Sequence, residues 1–147
     1  MTTLTAAEAQ SLADALTAEH AAVFAYGVVA AFSNPTRDAQ VAADAAAHRA
    51  CRDSLTDMLT AAGMPAPAAA AGYTLPFPVV DPVTAAQLAA QAEVDTAVAW
   101  RAVVEHGDTA EIRALGVTAL TDAAIREANW RLALGTDPVT KPFPGQP

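Results

Sequence analysis

The stretch from Met64 to Asp81, MPAPAAAAGYTLPFPVVD, holds four prolines and one glycine within 18 residues. Proline lacks an amide hydrogen and turns the residue before it away from helical backbone, so this stretch reads as a linker between regular elements. An extended proline-rich segment rises about 3.1 Å per residue, which gives it a reach of roughly 50 Å, longer than a helix of about 26 residues at 1.5 Å each. The linker can therefore carry the chain from one end of a helical protein back to the other. The elements before and after it then run parallel.

Four helices surround this crossover. The first is expected from Thr3 or Thr5, with Glu8 in its first turn, to Phe32, where Ser33-Asn34-Pro35 stops it. The second opens at Thr36-Arg37-Asp38 and closes at Gly63, forming an antiparallel hairpin with the first. The third starts at Asp81-Pro82, a cap followed by a first-turn proline, and ends at His106-Gly107. The fourth runs from Asp108 or Thr109 to Leu134, with Gly135 as its stop. Residues 1–135 make one helical domain on this reading, and 136–147 form a proline-rich tail lying on the surface, held through Phe143. Forty alanines among 147 residues, 53% of them hydrophobic, support an all-α fold with one core, because alanine loses no side-chain entropy on entering a helix.

Eight basic against 16 acidic residues give no electrostatic footprint for nucleic acid or an anionic membrane surface. The start, MTTLTAAEAQ, has neither a basic region nor a continuous apolar run, and no uncharged apolar segment reaches about 18 residues; a cytoplasmic protein is expected. The one cysteine, Cys51, permits no internal disulfide, fits a reducing compartment, and reads as a buried, inert thiol. A positive mean hydropathy and closely packing alanine faces suggest an apolar outer surface covered in a homodimer.

Stepping along each helix by fours and threes places one ionisable residue near the middle of each inward stripe. Helix one reads Leu12, Leu16, Glu19, Val23, Tyr26, Ala30, and helix two Val41, Ala45, His48, Arg52, Leu55, Leu59. Helix three reads Ala86, Ala90, Glu93, Ala97, Trp100, Val104, and helix four Gly116, Leu120, Ala123, Glu127, Trp130, Leu134. At 1.5 Å per residue, Glu19 stands about 22 Å above the start of helix one and His48 about 18 Å below the top of helix two. With the crossover, Glu93 falls about 17 Å below the top and Glu127 about 27 Å above the bottom of a bundle roughly 40 Å long. All four then agree in height within about a turn.

Three carboxylates and an imidazole at one level resemble the di-iron site of the ferritin-like superfamily, in which two helices each supply a Glu and the other two each supply Glu-x-x-His. Glu19 and Glu93 match the single glutamates, but the other motifs read Ala45-x-x-His48 and Glu127-x-x-Trp130, so one Glu and one His are missing. The chain also resembles the DUF4439 family, uncharacterised ferritin-like proteins of actinobacteria, at Glu19-His-Ala-Ala-Val-Phe-Ala-Tyr-Gly27, His48-Arg-Ala-Cys-Arg-Asp53 and Tyr73-Thr-Leu-Pro-Phe-Pro-Val79. These resemblances imply a ferritin-like four-helix bundle and supply no established activity.

With at most four of six ligands present, a complete di-iron oxidase is not expected, and Asp44 or Asp122 could substitute only with rotated helices. The favoured reading is a metal-free core in which Arg49, Arg52 and Arg126 neutralise the buried carboxylates, in a protein acting through self-association or an unidentified partner. The alternative is a single Fe or Mn ion (Zn is also acceptable) held by Glu19, His48, Glu93 and Glu127, in a metal-binding protein or oxidoreductase. A third reading places an unknown small molecule beneath the crossover, with an arginine holding an anionic group. His20 reads as a locally bonded flank residue, His106 as a partner of its helix dipole, Tyr26, Trp100 and Trp130 as core filler, and Tyr73 and Phe77 as cover for one bundle edge. No Ser/His/Asp arrangement, phosphate-binding glycine loop or CxxC motif is present, so hydrolase and nucleotide-dependent readings have no support.

Overall fold

A computed structural model describes residues 3–147. Its regular structure is α1 (Ala6–Phe32), a 3₁₀ turn (Pro35–Arg37), α2 (Asp38–Ala61), α3 (Pro82–His106) and α4 (Ala110–Leu134), with no strand among the described residues. The ends follow the capping residues. Thr5 and Glu8 form a reciprocal capping box at α1, Asp81 and Thr84 do the same at α3, and the Thr109 side chain accepts from the Ile112 amide at α4. At the other end of α4, Gly135 takes the left-handed conformation with φ 67°, which favours glycine.

The core falls into two apolar clusters that give each helix its direction. One joins Ala22, Ala25 and Val29 of α1, Val41 of α2, Ala85 to Ala92 of α3 and Trp130 of α4. The other joins Leu12 and Leu16, Leu55 and Leu59, Trp100 and Val103, and Ile112 and Ala119 from the same four helices. Helices α2 and α3 thus both descend from the first cluster to the second, while α1 and α4 ascend. The crossover runs the length of the protein, as its reach allows. Helix α1 packs on α2 and α3, and α3 packs on α4. At the close α3–α4 approach a Cβ on Gly116 would lie 2.8 Å from Val104 Cγ2, so only glycine lets the backbones meet there. Between α2 and α4 the packing is looser, and an opening of about 560 Å³ lies near Met58 and Leu115.

Helix α1 is long and apolar enough to cross a membrane by length and composition, yet Leu12, Leu16, Tyr26 and Val29 line the core and it buries two glutamates, Glu8 and Glu19. The tail folds back on the helices. Pro138 O accepts from Arg131 Nε at 2.9 Å, Lys141 Nζ lies 2.8 Å from Glu127 Oε1, and Gly145 sits so near α3 that a Cβ there would meet Ala97 O at 2.5 Å. Phe143, the expected anchor, is 69% exposed. Backbone and ion-pair contacts hold the tail instead.

Candidate functional site

A polar layer separates the two apolar clusters. Its centre is His48 on α2, fully buried, with Nδ1 2.6 Å from Glu19 Oε2 and Nε2 2.7 Å from Glu93 Oε2. Glu19 and Glu93 come from α1 and α3, and both are fully buried. A carboxylate offers only acceptors, so each ring nitrogen donates and the ring is an imidazolium. Burial alone would lower the His48 pKa, but the hydrogen bonds to Glu19 and Glu93 and their charges outweigh it and lift it to about 9.

The antiparallel run of α1 and α3 makes the surroundings reciprocal. Tyr26 lies seven residues after Glu19 and Trp100 seven after Glu93, two turns along the same face in each case. Trp100 Nε1 donates to Glu19 Oε1 at 2.8 Å, and the Tyr26 hydroxyl donates to Glu93 Oε2 at 2.5 Å. Arg126 of α4 closes the last position, with Nε 2.8 Å from Glu93 Oε1. All four carboxylate oxygens of Glu19 and Glu93 are therefore occupied, and no buried side-chain polar atom among the described residues lacks a partner. Two carboxylates face one imidazolium and one guanidinium, so the formal charges of this group cancel. Burial pushes the Glu93 carboxyl up, but His48 and Arg126 prevail and hold it below its ordinary value.

Asp44 and Trp130 extend the network toward the surface. Trp130 Nε1 lies 2.9 Å from Asp44 Oδ2 and 3.0 Å from the Tyr26 oxygen. Asp44 is half-buried, and its carboxyl is raised chiefly by that burial and secondarily by the charge of Glu93. The Tyr26 phenol is likewise raised, first by burial and then by the neighbouring Glu93 and Asp44 charges.

Of the four residues expected to meet, the structure brings three together. Glu127 is the exception: it is buried, but against the tail, paired with Lys141 at 2.8 Å and Arg131 at 3.7 Å. Of the three arginines expected to neutralise the layer, only Arg126 does so; Arg49 is exposed and Arg52 pairs with its neighbour Asp53 at 2.8 Å. Asp122 is exposed, and Asp44 joins the layer by accepting from Trp130 Nε1. The two tryptophans and Tyr26 fill the core, and their polar atoms find partners there, each donating to the layer. An aromatic donor two turns from a central carboxylate was the signal for Tyr26 and Trp100. Cys51 is half-buried, and burial pushes its thiol up to about 11, in keeping with an inert residue. His20 bonds across the fold, its Nε2 donating to Pro67 O of the crossover at 2.9 Å. A second buried acid, Glu8, accepts from the Thr5 amide at 3.0 Å and the Asp108 amide at 2.8 Å, tying the start of α1 to the α3–α4 turn. Its pKa is lowered, the Thr5 backbone bond being the largest cause.

This donor set does not fit a divalent cation as it stands. Imidazole ligates through an unprotonated nitrogen, and both nitrogens of His48 carry hydrogens directed at carboxylates. No group of three His, Cys, Asp or Glu side chains among the described residues is arranged to hold a metal ion.

The family profile described as domain of unknown function DUF4439 matches residues 11–147. The chain is similar, at 45% identity and a TM-score of 0.87, to the crystal structure of a conserved hypothetical protein, rv2844, from Mycobacterium tuberculosis, covering 90% of this chain and 100% of that one. No functionally curated protein matches it in sequence. Match length, identity and shared structure agree, and the chain belongs to the DUF4439 family.

Proposed function

We propose that the protein is a ferritin-like four-helix bundle in which a charge-neutral Glu19–His48–Glu93–Arg126 layer replaces a di-iron centre, and that it works as a non-catalytic helical module through self-association. One observation carries this reading: His48 spends both ring nitrogens on carboxylates, which leaves no lone pair for a metal. Buried charges are tolerated only when paired and fully hydrogen-bonded, and this layer meets that condition. For self-association, the support is the outer face of α4, where Val117, Ile125 and Leu132, spaced by eight and seven residues, are 50%, 55% and 69% exposed. A homodimer through this stripe, in the cytoplasm where a lone cysteine stays reduced, is the assembly proposed.

Elemental analysis of protein purified without chelator, followed by Fe(II) and Mn(II) titration under air, tests the first half. The expected result is metal-free protein with an unchanged melting temperature. Stoichiometric metal that disappears in Glu19→Ala would defeat it and favour the second reading, a metal-binding oxidoreductase. The meeting of Glu19, His48 and Glu93 gives that reading its support, but it requires His48 to lose a proton and Glu127 to leave Lys141. Sedimentation velocity tests the second half, with Ile125→Glu expected to yield monomer from dimer; a monomeric wild type would refute it.

A further inference from the structure

The crossover roofs a groove between α1 and α3 and leaves a pocket of about 130 Å³ beneath it. One wall is a patch of methyl groups, Ala18, Ala21, Ala22 and Ala25, which at steps of three, one and three share a single face of α1. Leu88 and Ala92 of α3 form the opposite wall, and the backbone and side chains of Tyr73 to Pro76 form the roof. The roof is held in place by the Tyr73 ring lying against Phe24, with centroids 5.1 Å apart, and by the bond from His20 to Pro67 O. The space exists because alanines stand where larger side chains would have met the roof. Its rim residues Thr74, Pro76 and Asp95 are exposed, so the pocket opens to solvent, and an apolar group entering it would displace water from methyl surface.

The lining sets the ligand's chemistry. No lysine, arginine or histidine lines the pocket, so the arginine-held anion expected from sequence has no counterpart here. The polar residues are Tyr73, Thr74, Gln91 and Asp95; the Tyr73 hydroxyl accepts from Ala70 N at 3.0 Å and Asp95 from Gln91 Nε2 at 2.8 Å. A carboxylate at the rim disfavours anions, and apolar walls disfavour any strongly hydrated group. An enclosed apolar cavity of about 150 Å³ takes benzene, so the volume of this open pocket suits one small ring.

We propose that the pocket between Ala22, Leu88 and the Tyr73–Pro76 roof is a binding site for a compact, uncharged, apolar molecule the size of a single aromatic ring. The site is built from residues outside the polar layer, so it stands or falls independently of the metal-free reading. The test is NMR titration of the full chain, labelled at alanine and leucine methyls, with benzene and separately with benzoate. Saturable shifts confined to the lining methyls, Ala18, Ala21, Ala22, Ala25, Leu75, Leu88 and Ala92, are expected with benzene, and none with benzoate. Ala22→Leu should fill the space and weaken benzene binding by at least about tenfold, the equivalent of roughly two lost methylenes of contact. Should that variant not fold, Ala21→Leu, at a half-buried lining position, serves in its place. Shifts that do not saturate, equal binding of benzoate, or binding that survives a filled pocket would each overturn the assignment.

Discussion

Raising the pH should remove the stabilisation that His48 provides, by an amount the structure sets. The His48 pKa is about 9 in the folded protein against an ordinary 6.5. Below pH 6.5 the ring is protonated whether the chain is folded or not, so its contribution is complete. From 6.5 to 9 the unfolded chain gives up a proton that the native protein retains, so the unfolded state binds fewer protons and stability falls with rising pH. At 1.36 kcal/mol per unit, the loss by pH 9 is about 3 kcal/mol. For a chain of this length, that corresponds to a drop in Tm on the order of 10 °C. Urea unfolding followed by circular dichroism at fixed ionic strength, from pH 6 to 9.5, measures it directly. The control is His48→Gln, expected to lose about 3–5 kcal/mol at pH 6, because Glu19 and Glu93 are left facing each other without the cation, and to show no further decline to pH 9. A wild type that is flat across this window, or a variant that declines in parallel with it, would refute the imidazolium. At the acid end the sign reverses: the depressed Glu93 carboxyl contributes fully above its ordinary 4.5, and that contribution is lost as pH falls through the lower native value.

Gly116→Ala should destabilise by about 1–3 kcal/mol, despite alanine's better helix propensity, because the new methyl meets Val104 Cγ2 at 2.8 Å and its backbone nitrogen at 3.1 Å; a thermal melt reads this. Lys141→Met leaves buried Glu127 with only the longer Arg131 contact and should cost about 1–2 kcal/mol, with faster proteolytic trimming of the tail than in wild type.

Helix limits were legible because they are set locally. Thr5, Asp81, Thr109 and Gly135 each act on the backbone within one turn, and the structure uses all of them. The parallel run of α2 and α3 was legible too, since the proline-rich stretch 64–81 is long enough to return the chain to the other end of the protein. Glu19, His48 and Glu93 were found by helical period plus height, two quantities that a straight helix fixes. Glu127 shows where that method stops. Its period correctly predicts burial, but burial under the tail and burial against the centre look alike along one helix. Arg126, one residue earlier and about 100° around α4, is the residue that reaches Glu93. Arg49 follows His48 directly in sequence, but adjacent positions on a helix do not face the same way, and Arg49 is exposed. Asp44 was the more legible partner: four residues before His48, it shares that residue's face.

The crossover also divides the four central groups of the polar layer between two hairpins, each contributing one acid and one base. The first brings Glu19 with His48 and the second brings Glu93 with Arg126. Each central acid has a base within its own half, yet the bonds from His48 to Glu93, Tyr26 to Glu93 and Trp100 to Glu19 close only when the halves dock at a single vertical alignment. A slip of one turn, about 5.4 Å, would keep methyl against methyl along these alanine-rich faces but strand ionised groups in the interior. Smooth surfaces of small residues slide easily past one another, and the layer acts as the detent that stops them.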